Sequence, residues 1–96
     1  MEKHYSEAAE RLFSTVAALT DARDVAAFFE DICTIKEIQD LSQRLAVAQM
    51  LNEGEKYQKI EDVTGASTAT ISRVKRSLSY GSGGYISVIA KANKKQ

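Results

Sequence analysis

The chain of 96 residues has no proline, one cysteine and one histidine, and it carries no acidic residue after Asp62. Without proline, no ring closes off helical backbone at any position. One cysteine, Cys33, cannot form an internal disulfide. Its place beside Ile32 on an apolar helix face reads as core packing in a reducing cytoplasm. The single histidine, His4, stands near the chain start, and no His, Cys and carboxylate cluster with ligand spacing exists. Metal catalysis and nucleophilic triads therefore have no candidates, and no enzyme is expected. The adjacent carboxylates Glu30-Asp31 and Glu61-Asp62 point in different directions on a helix and read as solvated surface. No apolar run approaches the ~18 residues that a membrane span needs. The opening Met1-Glu2-Lys3-His4-Tyr5-Ser6-Glu7 has no apolar h-region, so it is not a secretory signal, and a cytoplasmic protein is expected. β-Branched residues nowhere alternate with polar ones over a useful length, which removes a strand reading.

What is present is a divided charge. The formal net charge is zero, but residues 1–62 hold all thirteen acids and seven bases, and residues 63–96 hold six bases. The two parts carry −6 and +6. Such asymmetry points to a polyanionic partner for the basic part. RNA is the weaker polyanion here, because there is no basic sheet with aromatic residues to stack bases. Hydrophobic content of 44% and charged content of 27% fit one small globular domain.

Helical periodicity runs almost throughout. Residues 3–19 align Tyr5, Ala8, Ala9, Leu12, Val16 and Leu19, and a break follows at Thr20-Asp21. Residues 21–33 align Val25, Phe28, Phe29 and Ile32. Thr34-Ile35-Lys36-Glu37 is a capping box, with Thr34 the N-cap. It starts a helix of about 30 Å that runs to Asn52, with Ile38, Leu41, Leu45, Ala48 and Leu51 as its stripe and Gly54 as its stop. A short helix is expected from Tyr85 to Ala92, after a flexible Gly81-Ser82-Gly83-Gly84 joint and before a frayed Asn93-Lys94-Lys95-Gln96. The single domain thus divides into 1–54, helices for dimerisation; 55–79; and 80–96, the joint and last helix. Leu12, Phe13, Val16, Phe28, Phe29 and Leu51 exceed the core of so small a chain, so a second copy is expected to cover them.

Residues 57–76, within the middle segment, read as a helix-turn-helix. Tyr57, Ile60, Val63, Ala66, Ile71 and Val74 are its apolar positions, with Ile60 and Val63 on one face of the first helix. Gly65 falls at the turn, and Ser67 is placed to cap the second helix. Ser67, Thr68, Ala69, Ser72 and Arg73 are candidates for base edges. Lys75 and Arg76, with Lys56 and Lys59, are candidates for phosphates. A helical hairpin that packs against a protein partner is the competing reading.

From Phe28 to Leu78 the chain resembles the Trp repressor family, and within it the shorter YerC/YecD-type regulators. Thr34-Ile35-Lys36-Glu37, Leu41-Ser42-Gln43-Arg44-Leu45-Ala46-Val47 and Leu51-Asn52-Glu53-Gly54-Glu55 carry the resemblance. So do Thr64-Gly65-Ala66-Ser67-Thr68-Ala69-Thr70-Ile71-Ser72-Arg73 and Ser77-Leu78. It implies an all-α bundle with a helix-turn-helix, built as an intertwined homodimer. It implies, too, a DNA-binding transcriptional regulator, a repressor reading a palindromic operator. Its reading helices would lie about 34 Å apart, the general spacing of helix-turn-helix dimers, of which the Trp repressor is a standard instance. An effector pocket is implied at Thr34, Arg44, Arg73 and Ser77. The tryptophan-binding members have glycine after the second arginine, where this chain has Val74. That side chain fills the room an indole needs, so no tryptophan co-repressor or other cofactor is expected.

Overall fold

The computed structural model describes residues 4–94. Among them are six helices and no strand: α1 (Glu7–Ala17), α2 (Ala22–Ile32), α3 (Ile35–Asn52), α4 (Tyr57–Thr64), α5 (Thr68–Tyr80) and α6 (Gly84–Lys94). The protein is all-α, as the sequence implies. Lys3, Lys95 and Gln96, which the sequence reading placed in a helix or a frayed end, lie outside the described residues.

Local chemistry sets each boundary. The Ser6 hydroxyl accepts from the Ala9 N–H at 3.0 Å and opens α1 four residues later than periodicity alone suggests. The Asp21 carboxylate accepts from the Arg23 N–H at 2.8 Å and opens α2. The capping box forms in full. Thr34 Oγ1 accepts from the Glu37 N–H at 3.0 Å, and Glu37 Oε1 accepts from the Thr34 N–H at 2.8 Å. At the other end of α3 the Gly54 N–H donates to the Leu51 carbonyl and the Glu55 N–H to the Met50 carbonyl. These two bonds make a Schellman stop, with Gly54 left-handed. The last helix is longer than expected, because Ala92 does not end it and Asn93 and Lys94 continue it.

The chain divides into two compact units, Met1–Ile38 and Gln39–Gln96. The boundary falls inside α3 rather than after it. The reason is that Val47 and Ala48, on the second half of α3, belong to the core built by Ile60, Ala66, Ile71, Val74 and Ile89. Met50, Leu51, Tyr57, Leu78 and Tyr85 pack around these seven residues. Burying such side chains contributes ~1.5–3 kcal/mol each for the larger ones.

The first unit is different. Neither α1 nor α2 has a buried residue. Leu12, Phe13, Val16, Ala17, Phe28, Phe29, Ile32 and Cys33 line a groove with no polar surface. Phe13 is 50% exposed, and its ring meets Tyr5 edge to face at 5.1 Å. Cys33, expected in a core, is half-buried at the rim of this groove, next to an Ile32 that is itself exposed. The reason is that two helices alone cannot enclose the faces they present to each other.

Candidate nucleic-acid interface

The second unit holds the helix-turn-helix. Gly65 ends α4 with φ +73°, a left-handed value that costs a side-chain-bearing residue about 1–2 kcal/mol. Its N–H donates to the Glu61 carbonyl at 2.9 Å. Thr64 Oγ1 then donates to the Ile60 carbonyl and accepts from the Ala66 N–H, so the turn is closed from both sides. From α3, Gln43 Nε2 donates to the Thr64 carbonyl at 3.1 Å, tying the turn to the helix beneath it. Ala66 seals the turn from inside, being buried.

Ser67 caps α5: its hydroxyl accepts from the Thr70 N–H at 3.1 Å and donates to Thr70 Oγ1. Ile71 and Val74 are buried on the inner side of α5. Ser67, Thr68, Ala69, Ser72, Arg73, Lys75 and Arg76 are all exposed. Ser67 is thus on the outward side, with its hydroxyl also engaged in the cap. Thr68 Oγ1 donates to Glu61 Oε2 at 2.9 Å, a contact between the two helices of the motif that the sequence reading did not anticipate. An acid seven residues away across a turn gives no periodic signal; only the turn geometry brings it there.

The flanking lysines differ. Lys56 stands at the N-cap of α4, exposed and without a side-chain cap bond. Lys59 pairs with Glu55 at 3.4 Å, one turn back along the chain. An exposed pair of this kind is worth under about 1 kcal/mol, so a phosphate could displace it.

One expectation for α4 fails. Val63 is 65% exposed and does not share the inner face with Ile60, which is fully buried. In an eight-residue helix the inward line runs through Tyr57, Ile60 and Thr64. Val63 falls off its edge, and the half-buried Thr64 takes its place through the hydrogen bonds that close the turn.

Gly81, the first residue of the joint after α5, is closely held. The Gly81 N–H donates to the Ser77 carbonyl at 2.9 Å, and a Cβ at Gly81 would collide with that carbonyl oxygen. Glycine is needed there for close approach.

Beside α5 lies a cavity of about 440 Å³. Asp40, Gln43 and Arg44 line it from α3, and Thr70, Arg73, Val74 and Ser77 from α5. Tyr85 lines it from α6. Three of the residues assigned to an effector pocket, Arg44, Arg73 and Ser77, are therefore brought together. Thr34 belongs to the first unit, where its hydroxyl is engaged in the capping box. Gln43, Asp40 and Tyr85 were not legible as cavity residues, since nothing in their spacing distinguishes them from surface. Among the described residues no group of three His, Cys, Asp or Glu could hold a metal ion, and no helix is long and apolar enough to cross a membrane.

Comparison with known proteins agrees with this architecture. Residues 7–93 match the Trp repressor protein family. The chain is 58% identical over 76 residues to YerC of Bacillus subtilis (strain 168), a protein of uncharacterised function; the match covers 79% of this chain and 73% of YerC. Two crystal structures superpose closely. A candidate Trp repressor from Staphylococcus aureus has a TM-score of 0.88 at 46% identity, covering 93% of this chain and 89% of that one. A TrpR-like protein from Eubacterium eligens has a TM-score of 0.87 at 51% identity, covering 92% and 91%. With most of its length matched in sequence and in fold, the chain belongs to the Trp repressor family.

Proposed function

We propose that this protein is a sequence-specific DNA-binding transcriptional regulator, a repressor that reads a palindromic operator as a homodimer in the cytoplasm. The observation that carries the reading is the division of α5 into two sides. Ile71 and Val74 anchor it in the core, while Ser67, Thr68, Ala69, Ser72, Arg73, Lys75 and Arg76 face outward. Small polar groups followed by cations are what a helix needs to lie in a major groove with its N-terminal residues at the bases. In this reading Lys56 and Lys59 join Lys75 and Arg76 on phosphates.

The groove on the first unit supports the dimer. Its apolar surface is what a second copy of the same face would cover, and one small helix alone makes few DNA contacts. The cavity between α3 and α5 is the proposed effector site. Arg44 and Arg73 are cationic, Asp40 is anionic, and Gln43, Thr70 and Ser77 are neutral and polar, which leaves Val74 and the Tyr85 ring as apolar lining. That chemistry suits a polar effector better than a bare indole.

Selection of bound DNA from a random duplex library at moderate salt tests the reading. The expected product is a palindrome with half-sites about one helical turn apart. A pool that stays random with folded protein would refute it.

A further inference from the structure

Glu61 is half-buried on α4, and its carboxylate accepts a hydrogen bond from the hydroxyl of Thr68, the first residue of α5, at 2.9 Å. A carboxylate can only accept, so in this clasp the Thr68 hydroxyl donates and its hydrogen is no longer available to DNA. What it still offers outward is lone pairs. We propose that Glu61 is a specificity-determining residue that, by holding the Thr68 hydroxyl as an acceptor, restricts the base Thr68 reads to adenine or cytosine. The proposal rests on the DNA-reading function above.

The chemistry of the major groove makes the restriction definite. Only adenine N6 and cytosine N4 present hydrogen-bond donors there; guanine presents N7 and O6, and thymine presents O4, all acceptors. A freely rotating threonine hydroxyl donates or accepts and discriminates poorly between these sets. Clasped to Glu61, it meets guanine or thymine with lone pair against lone pair, and the carboxylate behind it adds to the repulsion. Glu61 need not touch DNA to act; it fixes the polarity of the residue that does.

The experiment compares binding-site selections for the full-length wild type, Glu61→Ala and Asp62→Ala. Asp62 is exposed and its carboxylate accepts from Gln58, so its removal changes the charge equally and leaves the clasp intact. The wild type is expected to confine one position per half-site to adenine or cytosine on one strand, by about tenfold over guanine or thymine. Glu61→Ala is expected to accept all four bases at that position and to keep every other preference. Asp62→Ala should bind all sequences more tightly without changing any preference. If Glu61→Ala behaves as Asp62→Ala does, the carboxylate acts only as charge and the proposal is overturned. If Glu61→Ala loses its helical circular dichroism, Thr68→Val carries the test: persistence of the adenine-or-cytosine restriction without the hydroxyl overturns it. A wild-type pool that stays random refutes specific DNA reading itself, a failure distinct from an unchanged preference in Glu61→Ala.

Discussion

The two units of this chain handle apolar surface in opposite ways. In Gln39–Gln96, four helical segments converge, and every buried hydrophobic residue among the described residues lies there. In Met1–Ile38 the helices α1 and α2 are strongly two-sided, but neither buries a residue, and their apolar sides line an open groove. The difference is one of number. Several helix faces can enclose a core of branched side chains, whereas two helices leave at least one side of each aromatic ring open to water. The unit with the closed core carries α5, the helix proposed to read DNA, whose side chains must then be held in a fixed register. The unit with the open groove has its apolar surface available for another chain.

Substitutions can break this comparison. Phe29→Asp, which places a charge in the groove, should have the largest effect. In sedimentation equilibrium the protein should fall from twice the 10.6 kDa chain mass to once that mass. An unchanged mass would mean that the groove is not the dimer interface. Ile71→Ala strikes the closed core instead. Removing a fully buried isoleucine should cost about 2–5 kcal/mol in denaturant unfolding. A cost below about 1 kcal/mol would show that the second unit is not tightly packed.

Smaller changes sharpen the picture of α5. Arg73→Ala should lose about 1–3 kcal/mol on the operator and relax preference at one base pair, if Arg73 contacts guanine. Lys75→Ala should weaken all sequences alike and lower the salt slope by about one. Equal loss on every sequence for Arg73→Ala would assign it to phosphate or to the cavity. Ser67→Ala removes a cap and should cost about 1 kcal/mol of stability. Val63→Ser, at an exposed position, should change stability by no more than about 0.5 kcal/mol. A larger loss would mean that Val63 is covered in solution by something other than its own chain.

Much of the fold was legible before any coordinates. Caps and stops are local: Thr34 with Glu37, Gly54, Gly65 and Ser67 each act through hydrogen bonds or backbone angles within a few residues. Periodicity located all six helices, because a helix repeats its inner face every three or four residues. It misjudged Val63, since a stripe gives an approximate direction and only packing against α5 decides which side of a short helix is covered. The start of α1 and the end of α6 also shifted, where weak periodicity met a better local cap at Ser6 and no stop at Ala92.

The candidate interface divides along the same line. The outward residues of α5 could be named from the sequence, as could the pairing of Arg44 with Arg73 through family resemblance. The resemblance assigned Thr34 to the same pocket, but Thr34 does not line the cavity, and its hydroxyl is part of a capping box. The cavity's other walls, Asp40, Gln43 and Tyr85, come from helices whose meeting no spacing encodes.

By itself the sequence determined an all-helical chain, its caps, its divided charge and a helix-turn-helix, because these depend on neighbours along the backbone. Only the tertiary structure decided that the second compact unit begins within α3, that Gln43 holds the turn, and that Glu61 reaches Thr68. Those depend on which side chains meet across space, and a hydrogen bond between residues on different helices exists only once the turn between them has set the distance.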